Sequence, residues 1–346
     1  MFHSIKSLED FLKIPAISGE SLKSFIFSTT RFMAKSRLVS HTCLILTGSL
    51  PSGFGNLSAL QQLDLDRNSL TATMGNGLPN IESVYFGGNQ FSGLIPSSIA
   101  KAWKLTLLYL FNNMFSGYVL LDLGNLQHLD SLRLAKNQLK NDPFFLELEF
   151  LVPLRNFSSG IKGTIPREVG NLGNLWLLSI GGNDLTGSLP QALKDSRKMQ
   201  ALNLHCCKFQ GSIPKNFCNF TKLYHLDLGE NRLFGEVPGC LGDITALREI
   251  HLAFNGFNST ITSALWSNKD IEILKTCLTI IPVVFLAQEI GRLKSMRELY
   301  LSGNRLSGDI PSTIGQLQSL IDLTLSDNKL HGSIPKSFVN LLDLEY

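Results

Sequence analysis

The sequence predicts an α/β solenoid, in which a short repeat is stacked many times around a parallel β-sheet. Nine asparagines recur in one frame, each three residues after one apolar side chain and five after another. They are Asn68, Asn89, Asn113, Asn137, Asn183, Asn231, Asn255, Asn304 and Asn328. A fixed period of about 24 residues means that one supersecondary unit is copied along the chain. One unit cannot bury its own leucines, but stacked units share a continuous core.

Each repeat is predicted to contain a short strand, a turn and a second extended segment. Around Asn231 the apolar positions are Phe220, Leu223, Leu226 and Leu228, followed by Leu233, Gly235, Val237 and Pro238. The alternation before the asparagine has period two and indicates a strand with one buried side. Glycine permits the tight backbone after it, and proline fixes the next bend. We expect the asparagine amide to satisfy backbone groups in the turn, so its role is structural.

The same period locates four copies in which asparagine is missing, at Leu44, Ser159, Cys207 and Thr279. The solenoid is therefore expected to cover residues 36–346, with its last repeat truncated. Residues 1–35 are expected to be irregular, forming a short helix or a degenerate repeat. An organelle-targeting segment is the alternative for this part, since residues 21–42 hold four basic residues and no acid after Glu20.

Neither terminus shows a recognisable targeting signal or cap. No signal peptide is visible in residues 1–20, and no capping cysteines, membrane span or kinase domain follow the last repeat. These observations predict a fragment or a decayed gene product. The apolar segment 277–287 is too short for a spanning helix, which needs roughly 20 residues. It is interpreted as a degenerate repeat, with a membrane span as the alternative.

The copies resemble the plant-type leucine-rich repeat, L-x-x-L-x-x-L-x-L-x-x-N-x-L-x-G-x-I-P. Residues 163–172 and 298–304 are similar to ectodomains of plant leucine-rich-repeat receptor-like kinases, especially the flagellin-receptor-like subfamily. The resemblance implies a right-handed superhelix of about 12–13 repeats with a concave parallel sheet. It also implies a location on the extracellular face of the plasma membrane and a co-receptor kinase as a partner.

Composition and motifs argue against other classes of protein. With 31 basic and 28 acidic residues, the net charge of +3 does not favour nucleic acid as a partner. No phosphate-binding loop, kinase signature, nucleophile elbow or zinc-binding pattern occurs, so no cofactor, metal or enzyme activity is expected. Members of the parent family carry a serine/threonine kinase domain that these residues do not contain.

Two features are consistent with secretion. Cys218 and Cys240 precede Asn231 and Asn255 by 13 and 15 residues, which places them in like loops of adjacent coils. Stacked coils lie about 5 Å apart, within reach of a disulfide, and we hypothesise that the two cysteines pair in an oxidising compartment. Four N-x-S/T sequons are candidate glycosylation sites. Their asparagines are Asn56, Asn156, Asn219 and Asn258.

The solvent-facing position between the two strand leucines is the candidate binding column. It reads Asp64, Tyr85, Tyr109, Arg133, Arg155, Ser179, Asn203, Asp227, His251, Lys275, Tyr300 and Thr324. Aromatic residues beside cations are common contact residues. Tyr85, Tyr109, Arg133 and Arg155, with Phe111 and Lys136 nearby, are therefore the candidate ligand-binding residues. The alternative is a solvated strand face whose charges only keep the sheet soluble.

Further along the chain the same face is expected to be acidic. The residues responsible are Asp227, Glu230, Glu249, Glu298, Asp322 and Asp327. The sequence thus favours a non-catalytic recognition module that binds a peptide or protein on the concave face, with the acidic part of the ligand near Arg133 and Arg155. The alternatives are a secreted leucine-rich-repeat inhibitor of a pathogen enzyme and a non-functional fragment of a receptor kinase gene.

Overall fold

The computed structural model describes residues 23–27, 45–50, 57–72, 78–118, 121–140, 165, 167–189, 191, 193, 196–258, 261–277 and 284–345. Within those residues the chain forms 24 short β-strands, eight 3-10 helices and one α-helix. The chain divides into two compact units, Met1–Leu185 (unit 1) and Thr186–Tyr346 (unit 2).

Unit 1 contains a front sheet and a back sheet, both parallel. The front sheet consists of β1 (Ser24–Ile26), β3 (Gln62–Asp64), β5 (Ser83–Tyr85), β7 (Leu107–Tyr109), β9 (Ser131–Arg133) and β11 (Leu177–Ser179), in that order. The back sheet consists of β2 (Thr47–Gly48), β4 (Ser69–Ala72), β6 (Gln90–Leu94), β8 (Met114–Tyr118) and β10 (Gln138–Lys140). Short 3-10 helices cover Ser97–Lys101, Leu121–Asn125 and Arg167–Asn171.

Unit 2 repeats this organisation. Its front sheet consists of β13 (Ala201–Asn203), β15 (His225–Asp227), β17 (Glu249–His251), β19 (Ile273–Lys275), β21 (Glu298–Tyr300) and β23 (Asp322–Thr324). One back sheet holds β12 (Thr186–Ser188), β14 (Lys208–Gly211), β16 (Arg232–Gly235) and β18 (Gly256–Phe257), and another holds β20 (Val284–Phe285), β22 (Leu306–Gly308) and β24 (Lys329–Leu330). The short helices are Lys215–Asn219, Gly239–Asp243, α1 (Ser263–Ser267), Gln288–Arg292, Ser312–Gln316 and Lys336–Asn340, of which α1 alone is α-helical among the described elements.

The front strands have one buried side, as the alternating leucines predict. In unit 1 the central residues Leu63, Val84 and Leu108 are fully buried, while Tyr85 and Tyr109 beside them stay half-exposed. Parallel pairing puts like residues of successive coils next to one another. A column of side chains at one repeat position therefore becomes a continuous row on the solvent side of the sheet.

The asparagine ladder is structural, which confirms the prediction. The Oδ1 atom of Asn231 accepts the N–H of Phe209 from the preceding coil at 3.0 Å. Its Nδ2 atom lies 2.9 Å from the carbonyl oxygen of Leu204 and about as close to those of Leu228 and Gly229 in its own turn. All nine ladder asparagines donate in this way, for example Asn68 and Asn328 at the two ends. Each amide thus ties one coil to the next.

The residue before each described ladder position adopts a left-handed backbone. In three coils it is a glycine, at Gly88, Gly182 and Gly303. In seven coils a side chain occupies this position, with φ between 51° and 56°, at Arg67, Asn112, Lys136, Cys206, Glu230, Phe254 and Asp327. A left-handed conformation costs roughly 1 kcal/mol for most residues with a Cβ atom. The turn therefore imposes this conformation on whatever residue the sequence supplies.

The first coil starts ahead of residue 36, where the sequence placed the solenoid boundary. Strand β1 pairs in parallel with β3, joining Phe25 to Leu63. The second half of this coil resumes at Leu46, whose N–H donates to Asn68 Oδ1 at 3.0 Å. The slot at Leu44 lies outside the described residues, as do those at Ser159 and Thr279.

The apolar segment 277–287 contributes a back strand. Val284 and Phe285 form β20 and pair with Leu306 and Ser307 of β22. Leu286 is buried, as a repeat position requires. In the part of the chain that the structure describes, every helix is too short or too polar to cross a membrane.

Candidate ligand-binding face

Three of the predicted binding residues form a row on the front sheet of unit 1. Parallel pairing places Tyr85 beside Tyr109 and Tyr109 beside Arg133. The two tyrosine rings meet edge to face, with centroids 5.1 Å apart. The guanidinium carbon of Arg133 lies 4.6 Å from the centroid of the Tyr109 ring, which is a cation–π geometry. We call these three residues the aromatic–arginine row.

Tyr109 is held in place from both sides. The Oγ atom of Ser131, on the next strand, donates a hydrogen bond to the Tyr109 hydroxyl at 3.1 Å. Because the ring also contacts Tyr85 and Arg133, its orientation is set before any ligand arrives. Ser131 was not among the residues predicted from the sequence. Strand register places Ser131 opposite Leu107 and diagonal to Tyr109. The repeat frame alone does not reveal this contact.

Arg133 acts on the Asp66 carboxyl through its charge but forms no ion pair with it. Its guanidinium makes no salt bridge or hydrogen bond to any residue that the structure describes, and its Nε atom is buried without a partner. The side chain as a whole is partly exposed, so a ligand would meet the guanidinium at its solvent-facing atoms and not at the buried Nε. A planar guanidinium suits a carboxylate, which it binds through two parallel hydrogen bonds.

Phe111 and Lys136 lie beyond the row. Phe111 follows Tyr109 by two residues and is half-buried, and its ring occupies the space that a Cβ atom at Gly87 would need. Lys136 is exposed in the left-handed turn after β9, and its side chain packs against the backbone at Gly182. Phe111 therefore extends the apolar surface next to the row. Lys136 adds a cation at its margin.

The residue beside Arg133 in the sheet is Ser179, where the sequence predicted Arg155. Strand β9 pairs directly with β11. Arg155 itself lies outside the described residues. The pairing of two arginines on neighbouring strands, predicted by counting repeat periods through residues 141–164, is therefore wrong. The register is set by interstrand hydrogen bonds such as that from the N–H of Leu134 to the carbonyl of Ser179, at 2.7 Å.

Asp66 is a further titratable residue of this face that the sequence analysis missed. Burial, together with the charge of Asp64, raises the pKa of the Asp66 carboxyl to about 6. The N–H of Gly87 donates to this carboxylate at 2.6 Å, and the charges of Arg67 and Arg133 also act to lower the pKa. These opposing effects do not balance, because burial dominates. The face therefore contains an acid that titrates near neutral pH.

The front sheet of unit 2 is acidic, and most of its charges are paired. Lys275 Nζ lies 3.0 Å from Glu298 Oε2 and 4.7 Å from the centroid of the Tyr300 ring. The Tyr300 hydroxyl donates to Asp322 at 3.3 Å. Burial and the charges of Glu298 and Asp322 raise the pKa of Tyr300 to about 12. A tyrosine next to a cation thus recurs here, but the cation, Lys275, forms an ion pair with Glu298.

Asp227 is the centre of a histidine-rich cluster in unit 2. Asp227 is 8% exposed, and its carboxylate accepts a hydrogen bond from the Gly229 N–H at 3.0 Å. Its oxygens also lie 3.4 Å from His205 Nδ1 and 3.6 Å from His251 Nδ1. Burial acts to raise the pKa of Asp227, but the hydrogen bonds and the histidine charges outweigh it, and the net result is a lowered pKa. No group of His, Cys, Asp or Glu within the described ranges is arranged to hold a metal ion.

The candidate disulfide and two candidate glycosylation sites lie in unit 2. Cys218 and Cys240 are joined by a disulfide, with Cα atoms 5.6 Å apart, between the helices Lys215–Asn219 and Gly239–Asp243. Asn219 and Asn258 are exposed. The other two candidates, Asn56 and Asn156, lie outside the described residues.

Comparisons with known proteins agree with this architecture. A family profile described as Leucine rich repeat matches residues 294–346, and a second, described as Leucine Rich Repeat, matches residues 80–102 and 198–220. Receptor-like protein 41 of Arabidopsis thaliana is 31% identical over 194 residues, which cover 55% of this chain and 19% of that protein. The chain therefore spans about a fifth of the length of this relative.

Two solved receptor structures are similar over most of the chain. The plant peptide hormone receptor RGFR1 in complex with RGF2 superposes with a TM-score of 0.73 at 27% identity, covering 94% of this chain and 51% of that one. The Arabidopsis receptor kinase HAESA, in complex with the peptide hormone IDA and the co-receptor SERK1, superposes with a TM-score of 0.68 at 29% identity. The match covers 86% of this chain and 50% of that one. With its stacked parallel strands and asparagine ladder, the chain is a leucine-rich-repeat solenoid of the kind that forms plant receptor ectodomains.

Proposed function

We propose that this chain is a non-catalytic recognition module that binds a peptide or protein ligand on the front sheet of unit 1. The aromatic–arginine row is the proposed contact, with Phe111 as its apolar extension. The observation that carries the proposal is the free guanidinium of Arg133, fixed over Tyr109 and lacking an acid partner among the described residues. A solvated face that only keeps a sheet soluble does not need such an arrangement.

The chemistry of the row indicates what the ligand would present. Tyrosine and arginine are enriched among residues that dominate binding energy, because they combine apolar area with a polar end. Tyr85 and Tyr109 would take an apolar or aromatic side chain, and Arg133 a carboxylate. Asp66, two residues after the end of β3, is the residue through which binding would depend on pH.

The relatives support a peptide as the ligand and a second receptor as a partner. The structures of RGFR1 and HAESA are complexes with peptide hormones, and the HAESA complex also includes a co-receptor. By this resemblance the chain would act on the extracellular face of the plasma membrane, in defence or developmental signalling. Since it spans about half of each of those chains, its ligand, its co-receptor and its location are proposals.

The proposal is tested by selecting ligands and then removing the row. A displayed library of random peptides is selected on the immobilised full chain, and the enriched peptides are measured by calorimetry. We expect them to contain acidic and aromatic residues. The double variant Tyr85→Ala/Tyr109→Ala should lose about 2 kcal/mol of binding free energy, roughly thirtyfold in affinity.

The matched control is Tyr300→Ala, because Tyr300 holds the same strand position in unit 2 and also lies beside a cation. This variant should bind the selected peptides as the unchanged chain does. Unchanged affinity of the double variant, or a selection that enriches no peptide, would contradict the proposed site.

A further inference from the structure

We propose that Asn219 carries an N-linked oligosaccharide, at a coil position that is open to solvent. This modification is independent of ligand binding by the front sheet. It would make one edge of unit 2 a glycan-covered surface. Among the described residues this position is exposed in coil after coil, and at Asn219 it coincides with a complete acceptor sequence.

The position of Asn219 is the last residue of the short helix in its coil. Every described residue at this position is exposed. The set is Lys101, Asn125, Asn171, Asn219, Asp243, Ser267, Arg292, Gln316 and Asn340. The repeat geometry thus directs this side chain outwards whatever its chemistry. A bulky substituent here would meet solvent instead of the core.

Only one of the four asparagines in this set has a hydroxyl residue two positions later. Thr221 completes the sequence Asn-Phe-Thr at Asn219, and Thr221 is itself exposed. The corresponding residues after Asn125, Asn171 and Asn340 are Gln127, Gly173 and Leu342. Asparagine-linked glycosylation requires Asn-x-Ser/Thr, so the fold offers several exposed asparagines and the sequence makes one an acceptor.

The surroundings of Asn219 are rigid, and its side chain is unoccupied. Phe217 and Phe220 on either side are fully buried, and Cys218 is bonded to Cys240. The Asn219 side chain makes no hydrogen bond to any described residue. Asn216, one turn earlier, instead donates from Nδ2 to the carbonyl of Gln191 at 2.7 Å. Modification of Asn219 therefore breaks no contact of the fold.

The reaction uses the Asn219 amide nitrogen as the nucleophile. Nδ2 loses one proton and forms a bond to the anomeric carbon of an oligosaccharide carried on a lipid diphosphate, and the lipid diphosphate leaves. This donor and its transferase belong to the secretory pathway. The neighbouring disulfide needs the same oxidising route.

The test uses the full chain, sent into the secretory pathway of insect cells by an added leader peptide. Peptide mapping of the secreted protein, before and after treatment with a peptide N-glycosidase, should show Asn219 converted to aspartate by the enzyme. Asn219→Gln and Thr221→Ala should each remove one glycan from the intact mass, whereas Thr221→Ser should retain it. An unmodified Asn219 in the secreted protein would overturn the proposal.

A gain-of-site variant tests the coil position itself. Gly173→Thr would complete an acceptor sequence at Asn171, and a Cβ atom at Gly173 would meet no heavy atom within 4 Å. We expect this variant to gain one glycan. If Asn171 becomes modified while Asn219 stays bare, the proposal for Asn219 fails. Translation in the presence of microsomes gives the same readouts, as gel shifts, if secretion is poor.

Discussion

The front sheets of the two units each place a cation beside a tyrosine on parallel strands, with opposite outcomes for the cation. In unit 1 the guanidinium of Arg133 lies 4.6 Å from the Tyr109 ring, and in unit 2 the ammonium of Lys275 lies 4.7 Å from the Tyr300 ring. Lys275 is bonded to Glu298, whereas Arg133 has no acid partner among the described residues. A tyrosine beside a cation is therefore not enough to define a binding face. The charges on the neighbouring strands decide whether the cation is available.

The buried acids of the two sheets differ in the same way. Asp66 in unit 1 has burial and another acid beside it, so its pKa rises to about 6. Asp227 in unit 2 is surrounded by His205, His251 and the Gly229 amide, which together lower its pKa. In unit 2 Asp227 and Lys275 both have side-chain partners, whereas Arg133 in unit 1 has no ion pair with a described residue. This difference is why we place the ligand on unit 1.

The largest expected effect is a loss of stability in unit 2 alone when its disulfide is removed. The double variant Cys218→Ser/Cys240→Ser should lower the free energy of unfolding of unit 2 by about 3 kcal/mol, because the disulfide closes a loop between residues 22 apart. Hydrogen exchange measured by mass spectrometry would show faster exchange in peptides of unit 2, with unit 1 unchanged. Cys277→Ser is the control for loss of a thiol. Equal exchange in the double variant and the unchanged chain would argue against the cross-link.

A charge reversal tests whether the free cation is the distinguishing feature. Arg133→Glu should weaken binding of the selected peptides by about tenfold or more, which is about 1.4 kcal/mol. The matched change Lys275→Glu should leave their affinity within about twofold, since Lys275 is already engaged by Glu298. Calorimetry at two salt concentrations measures the peptide affinity of both variants. A similar loss from both variants would mean that long-range charge, not the row, governs binding.

The smallest expected effects are opposite pH dependences. The folded pKa of Asp66 lies above its usual 3.8, so the stability it contributes is complete below that value and is lost as pH rises through about 6. Asp66→Asn should therefore stabilise the chain at pH 7 relative to pH 4, by about 1 kcal/mol once solvent screening is allowed for.

Asp227 should behave in the reverse sense. Its pKa is lowered on folding, so its contribution is present at neutral pH and is lost as pH falls. Asp227→Asn should destabilise the chain at pH 7, with a difference that shrinks towards acid. Denaturant unfolding of both variants measures the two slopes, between pH 4 and 7 for Asp66 and below about pH 4 for Asp227, whose pKa is lowered from 3.8. Slopes of the same sign would contradict the contrast between the sheets.

The repeat frame predicted most of the architecture, because a ladder asparagine has to satisfy the same backbone groups in every coil. It placed Asn231 in a structural role and Tyr85, Tyr109 and Arg133 in one row, as the structure shows. It also identified degenerate slots correctly where the leucines remain, as at Cys207, which is buried.

The frame failed at the neighbour of Arg133 in the sheet. Counting periods placed Arg155 between Arg133 and Ser179, but interstrand hydrogen bonds join β9 directly to β11. Periodicity also says nothing about partners, so the free state of Arg133 and the raised pKa of Asp66 were not predictable from spacing. Both depend on which atoms lie across the strands, and that is decided by register and burial.

The left-handed residue before each ladder asparagine has a consequence for how such a chain can be altered. Lys136 and Phe254 hold side chains in a conformation that glycine adopts without strain, as Gly88, Gly182 and Gly303 do at the equivalent place. Each coil therefore offers one position where a side chain can be exchanged without disturbing the core. An engineer could graft new contact residues there, at a known and roughly constant backbone cost per coil.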